Sequence, residues 1–269
     1  MGQIMGPLGG QAGSLPDRLE AALEAVVISD RWVAHRQEAL AGTSLAGAPE
    51  GWQAGLLRMA HDCLRGNLPL PHRWQTHFQT LPGPAAVMLN ALPYLWLQAD
   101  AHGHHQTAVA RWIVELELLP AAATACEALF ALLCQEMRAA GAGWGEASSS
   151  PPLGAALGLV AQSQGQFAVV LSSAYRRGWE SAAVALAGLV VGLMGGRATL
   201  GAALRQRWLL DYVGPKPATL APGRSEPDRW QNLGTEGLGA IAVGLHYRWA
   251  GREARAGFES PQSPLAIRV

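Results

Sequence analysis

The most apolar stretch of the chain runs from residue 181 to residue 196 and contains no charged side chain. Glycine recurs every four residues at Gly188, Gly192 and Gly196, which places these positions on one helix stripe where a neighbouring backbone can come close. A second stripe of larger apolar residues follows the same helical period: Leu186, Val190 and Leu193. The pattern therefore predicts a helix that is buried on nearly every side.

Helical periodicity recurs along most of the remaining chain. We predict further helices at 15–28, 52–66, 88–96, 102–119, 126–137, 199–210 and 235–249. Ser29 and Asp30 are expected to end the first of these, with a weaker helix continuing to residue 40. Two segments rich in glycine, proline or serine, 141–152 and 214–234, are expected to be flexible loops.

This succession of helices predicts an all-α fold of roughly eight to ten packed helices in a single domain. The domain is expected to span 1–250, because the helices after 152 are too apolar to stand without the preceding ones. Residues 251–269 show little periodicity and are expected to form a loose C-terminal tail.

Composition and charge narrow the function classes. Of the 269 residues, 49% are hydrophobic and only 15% are charged, against roughly 25% charged in an average soluble domain. Twenty basic residues balance twenty acidic ones. Without a basic block, a broad electrostatic surface for nucleic acid is not expected.

The N-terminal residues lack a basic segment followed by an apolar run, so no secretory signal is predicted and a cytoplasmic location is expected. The uncharged run of 16 residues at 181–196 is shorter than the roughly 20 needed to cross a bilayer. A membrane-associated helical protein, with 153–175 and 181–196 as a hairpin, is kept as an alternative.

Isolated residues offer little catalytic chemistry. His102, His104 and His105 are the densest candidate metal ligands, but no acidic or cysteine partner has a typical spacing. Glu115 and Glu117 are two residues apart and cannot share one helix face. The three cysteines form no CxxC pair, and no phosphate loop or nucleophile elbow is present.

Two segments resemble the ADP-ribosylglycohydrolase family. In the later segment, Gly178 matches the family's lead glycine, and the small-residue helix that follows reads Ala185-Leu186-Ala187-Gly188. The earlier segment, 83–93, looks like the family's stretch of glycine, methionine and Ala-Pro. The matches lie in compatible order and cover about a third of the chain. The resemblance implies an orthogonally packed all-α fold and, in active members, two magnesium ions that assist release of ADP-ribose.

The chain departs from the family where the metal ligands are expected. The two aspartate positions of the late motif fall on Trp179 and Ser181, and the threonine positions fall on Glu180 and Ala182. Magnesium prefers hard oxygen ligands in near-octahedral geometry, and tryptophan supplies none. The early acidic pair has no counterpart in residues 1–60, and the Thr-His of the middle helices is missing at Leu119.

We therefore expect a pseudoenzyme that binds or scaffolds without metal or cofactor, with Trp179, Glu180 and Ser181 as its ligand-binding residues. Its partner would be an ADP-ribose-like ligand or another protein. An active hydrolase of ADP-ribosyl linkages with an atypical magnesium site is the alternative. It requires at least three carboxylates to converge on Ser181, from these candidates: Asp30, Asp62, Asp100 and Glu180.

Overall fold

All secondary structure in the described part of the chain is helical, which confirms the all-α prediction. The computed structural model describes residues 13–41, 51–66, 69–100, 102, 104–138, 150–211, 230 and 234–256. These residues form eleven α-helices: α1 (Leu15–Ala41), α2 (Trp52–Arg65), α3 (Pro71–Gln79), α4 (Pro84–Gln98), α5 (Gln106–Glu115), α6 (Pro120–Arg138), α7 (Leu153–Gln162), α8 (Phe167–Arg176), α9 (Ser181–Gly195), α10 (Ala202–Arg205) and α11 (Gly234–Ala256). One hydrophobic core joins them.

The centre of the fold is the pairing of α9 with α1. The glycine stripe of α9 faces α1 so closely that a Cβ added to Gly192 would lie 2.5 Å from the Cα of Ala22. A Cβ on Gly188 would collide with Ser29 Oγ and lie 3.0 Å from the carbonyl oxygen of Ala25. Backbones can approach to this distance only where side chains are absent, so the glycine period fixes which face of α9 meets α1.

The first helix is longer than its sequence suggested. The expected end at Ser29 and Asp30 is wrong, because α1 continues unbroken to Ala41. The Ser29 hydroxyl donates to the carbonyl oxygen of Ala25 at 2.6 Å, so its polar group is satisfied within the helix. Burial of the residues on both sides of Asp30 against the core then outweighs the weak helix propensity of serine and aspartate.

The segment after α9 also differs from the single helix expected at 199–210. It consists of a 3-10 turn (Arg197–Leu200), α10 and a π-helical turn (Gln206–Leu210). Ion pairs to α1 hold it in place, because Glu24 is completely buried and accepts hydrogen bonds from Arg205 Nε at 2.7 Å and Nη2 at 2.9 Å. Arg197 contacts the same carboxylate and that of Glu20.

The last helix, α11, extends further toward the C-terminus than the sequence predicted. Residues 251–256, expected to belong to a loose tail, continue α11 to Ala256, and their alanine, arginine and glutamate residues are good helix formers. Trp230, which lies in a segment expected to be a flexible loop, is only 3% exposed. The rest of that predicted loop up to residue 233, most of the loop at 141–152, and the tail beyond residue 256 lie outside the described residues.

Pro93 lies inside α4, and every residue from Ala85 to Gln98 is buried there. α4 packs against both α2 and α6. Among the described residues, no helix combines the length and the apolar character that a membrane span requires.

Candidate functional site

A wide cleft opens where four helices begin. Its volume is about 820 Å³, and the residues that line it come from the starts of α4, α6, α7 and α9 and from the segments just before α7 and α9. Lining residues from α4 and α6 are Gly83, Pro84, Ala85, Pro120, Ala121 and Thr124; those from α7 and α9 are Ser150, Pro151, Pro152, Ala155, Gly178, Trp179, Glu180 and Ala183. We call this the Trp179 cleft.

The turn between α8 and α9 presents Trp179 to the cleft. The N–H of Gly178 donates to the carbonyl oxygen of Tyr175 at 2.9 Å, and the N–H of Trp179 donates to that of Ala174 at 3.2 Å. These two bonds form the Schellman motif that ends α8. Gly178 adopts φ +72°, a left-handed conformation that favours glycine. The glycine that marked the resemblance therefore has a local structural reason.

Glu180 lies at the start of α9 and is exposed. Its carbonyl oxygen accepts the N–H of Val184 at 3.0 Å, whereas its carboxylate makes no hydrogen bond or ion pair to the described residues. That carboxylate faces the start of α4, since a Cβ built on Gly83 would lie 3.9 Å from Glu180 Oε2. A carboxylate between the N-terminal ends of α4 and α9 is stabilised by both helix dipoles.

Ser181 is separated from the other two candidate residues by its orientation. Trp179 and Glu180 line the cleft, whereas Ser181 is 9% exposed and its Oγ donates to Oδ1 of Asp30 on α1 at 2.7 Å. The structure therefore brings two of the three predicted residues to the cleft and directs the third into the α1–α9 interface.

Asp30 is the acceptor of a hydrogen-bond cluster that joins four parts of the chain. Besides Ser181, its Oδ1 accepts from Gln53 Nε2 at 3.1 Å, and its Oδ2 accepts from the indole N–H of Trp230 at 2.9 Å. Gln53 and Trp230 are buried, 8% and 3% exposed. We call these four residues the Asp30 cluster. Both oxygens of the Asp30 carboxylate therefore have hydrogen-bond donors from the protein itself. All three donors are neutral groups.

The other candidate carboxylates do not assemble into a metal site around Ser181. Asp100 follows the far end of α4, a helix of 15 residues and therefore roughly 22 Å long, whereas Glu180 faces the start of that helix. Within the described part of the chain, no three or more histidine, cysteine, aspartate or glutamate side chains are placed to hold a metal ion. These residues do not fit a pair of magnesium ions, which requires several hard oxygen ligands.

The three histidines named as candidate metal ligands lie around the turn into α5. Asp100, 1% exposed, accepts the backbone N–H of His102 at 2.6 Å and that of His104 at 3.2 Å through Oδ1. Imidazole nitrogens of His104 and His105 lie 3.9 and 4.0 Å from its oxygens. The geometry is that of a carboxylate that caps a turn.

Sequence reasoning missed most of the cleft wall and two members of the Asp30 cluster. Prolines near the starts of α4, α6 and α7 were a usable signal, because proline is favoured in the first helical turn. Nothing local indicated that Gln53 and Trp230 would donate to Asp30, since the contacts join residues 23 and 200 positions apart.

Comparisons of the chain with family models, curated proteins and solved structures gave no match. The resemblance to ADP-ribosylglycohydrolases therefore stays a prediction that rests on the residues quoted for it.

Proposed function

We propose that the protein is a non-catalytic binding protein, similar to ADP-ribosylglycohydrolases, that holds an ADP-ribose-like ligand in the Trp179 cleft. One observation carries this proposal. Trp179 and Glu180 line an open cleft, while Ser181, the adjacent position of the expected metal motif, donates its hydroxyl to Asp30. Trp179, at one expected aspartate position, and Glu180 can contact a ligand, whereas Ser181, at the other aspartate position, bonds within the protein.

The size and chemistry of the cleft suit a nucleotide-like ligand. Its volume of about 820 Å³ lies within the roughly 300–1,000 Å³ typical of small-molecule sites. The half-buried indole of Trp179 offers a flat face on which a base can stack. The Glu180 carboxylate offers two acceptor oxygens, a chemistry that proteins use for ribose hydroxyls.

The Asp30 cluster supports binding without hydrolysis. Metal-assisted release of ADP-ribose, as the resemblance implies it, needs carboxylates whose oxygens are available to magnesium. Both oxygens of Asp30 already accept hydrogen bonds from neutral protein donors. Three of the about four acceptor positions of the Asp30 carboxylate are therefore taken, which leaves room for at most one further contact such as a metal ion.

The competing hypothesis, an active hydrolase with an atypical magnesium site, has one observation in its favour. Asp30 does reach Ser181, with a separation of 2.7 Å between Oγ and Oδ1. A metal that displaced the Ser181 hydroxyl would use this carboxylate. A single thermal unfolding experiment decides between the binding protein and the hydrolase.

Thermal unfolding of the purified protein in the presence of ADP-ribose, with and without magnesium, is the test. Ligand that binds only the folded state raises the midpoint as its concentration exceeds Kd. We expect ADP-ribose to raise the midpoint equally in magnesium and in EDTA, and we expect no release of ADP-ribose from ADP-ribosylated protein. Stabilisation that requires magnesium, or turnover that Asp30→Ala abolishes, would refute the proposal and favour the hydrolase.

Trp179→Ala and Trp179→Phe are the matched variants for this assay. Alanine removes the stacking surface and should abolish the shift, whereas phenylalanine keeps an aromatic face and should retain most of it. A shift of the same size in Trp179→Ala would place the ligand outside the cleft and contradict the assignment.

A further inference from the structure

The described side chains that line the Trp179 cleft include one acidic group and no basic group, although a nucleotide carries negatively charged phosphates. Glu180 is the one charged residue among the described residues that line it. Trp179 provides the aromatic surface, Thr124 and Ser150 provide hydroxyl groups, and the remaining lining residues are glycine, proline or alanine. No arginine, lysine or histidine of the described chain lines the cleft, so among these residues a phosphate has no basic side chain to pair with.

The N-terminal helix ends at the cleft make up only in part for the lack of basic side chains among the described lining residues. N-terminal helix ends favour anions because their first N–H groups are unbonded and the helix dipole is positive there. However, α4 and α6 begin with Pro84 and Pro120, and α7 is preceded by Pro152. Proline has no N–H, so three of the four helix ends each lack one of the donors that a phosphate could use.

A carboxylate of the protein already lies at the start of α4. The Glu180 carboxylate lies beside Gly83, next to Pro84. A phosphate at this end of the cleft would face a negative charge at short range, which is unfavourable in a partly apolar cleft. The carboxylate is well suited to accept O–H groups and poorly suited to lie beside a phosphate.

We propose that the cleft recognises its ligand as a nucleoside, through a stacked base and the vicinal hydroxyls of the ribose, and that phosphates contribute little to the affinity. This inference rests on the proposed function and names the part of the ligand that is bound. The base stacks on Trp179, and Glu180 accepts hydrogen bonds from the 2′ and 3′ hydroxyls. The phosphates of ADP-ribose extend away from Glu180 toward solvent.

The nucleoside inference predicts a ranking of ligand affinities. Adenosine binds as tightly as ADP-ribose, within about threefold, because both offer the same base and diol. 2′-Deoxyadenosine binds about 10- to 100-fold more weakly, since a hydrogen bond to a charged acceptor is lost. Pyrophosphate and free ribose, which lack the base, do not compete at millimolar concentration.

Titration calorimetry with adenosine, 2′-deoxyadenosine, ADP-ribose, pyrophosphate and ribose tests this ranking on the full-length protein. Each titration is repeated at low and high salt, because recognition of phosphate by charge weakens with ionic strength, whereas diol recognition changes little. The variants are Glu180→Gln, Glu180→Ala and, as a matched control, Glu115→Gln, which removes an exposed carboxylate outside the cleft.

We expect Glu180→Ala to weaken adenosine at least tenfold and to abolish discrimination against 2′-deoxyadenosine, while Glu115→Gln binds like the wild type. If the phosphates dominate instead, ADP-ribose binds at least tenfold more tightly than adenosine, loses affinity at high salt, and gains affinity in Glu180→Gln. That result overturns the nucleoside inference but keeps the proposed function. Binding of neither adenosine nor ADP-ribose to the wild type overturns both.

Discussion

Replacing Gly192 with alanine is expected to lower the free energy of unfolding by about 1–3 kcal/mol. The added Cβ would lie 2.5 Å from both the Cα and the N of Ala22. Carbon atoms pack best at about 3.5–4.0 Å, so α1 and α9 would have to separate by about 1 Å. The obstructing atoms belong to the backbone of a buried helix, which has no rotamer through which it can escape.

The better helix propensity of alanine acts in the opposite direction and must be measured separately. Gly158 is the matched control, because it lies inside α7 and a Cβ there would meet nothing within 4 Å. Gly158→Ala is expected to raise stability by about 0.5–1 kcal/mol. The difference between the two variants isolates the cost of close packing at Gly192.

Urea unfolding followed by far-ultraviolet circular dichroism gives both free energies by linear extrapolation. Because α1 and α9 also carry Asp30 and Ser181, a wider separation of these helices would lengthen their hydrogen bond of 2.7 Å. If Gly192→Ala is as stable as Gly158→Ala, the close approach of α1 to α9 is wrong, and with it the geometry of the Asp30 cluster.

Three further results are expected. Ser181→Ala should lose about 1 kcal/mol of stability, whereas Ser172→Ala, whose hydroxyl bonds within its own helix, should change it by less than about 0.5 kcal/mol in urea unfolding. Burial lowers the pKa of His77 below its ordinary value of 6.5. As the pH falls, this histidine is therefore protonated more readily in the unfolded chain than in the folded protein, and the urea midpoint should fall as the pH drops below 6.5. His77→Gln should flatten this pH dependence. Burial raises the pKa of Cys63 and Cys126 to about 12, so neither thiol should react with a disulfide reagent until urea unfolds the protein; reaction in the native state would contradict their burial.

Local sequence predicted the central helix well because its signal is periodic. The four-residue glycine step predicted the helix and the stripe that a neighbouring backbone can approach, but not which helix approaches it. A Cβ on Gly188 or Gly192 would collide with α1. Helix boundaries were less predictable. Ser29 and Asp30 have weak helix propensity, but Ser29 is fully buried and satisfied by Ala25. Tertiary packing thus decided the length of α1.

The candidate site was predictable only on one side. The Gly178 turn and its neighbours Trp179 and Glu180 form a continuous segment, so a sequence pattern could point to them together. The contact between Ser181 and Asp30 joins residues 151 positions apart, and the bond from Trp230 spans 200. Such contacts depend on how helices pack, which one sequence does not encode in its local pattern.

We propose that the Trp179 cleft binds an ADP-ribose-like ligand without metal and without hydrolysis. The most direct measurement is a calorimetric titration of ADP-ribose into the wild type and into Trp179→Ala, in EDTA, with the ligand recovered and analysed afterwards. We expect saturable one-site binding to the wild type, no measurable binding to Trp179→Ala, and unchanged ligand. No binding to the wild type, or equal binding to both proteins, would contradict it.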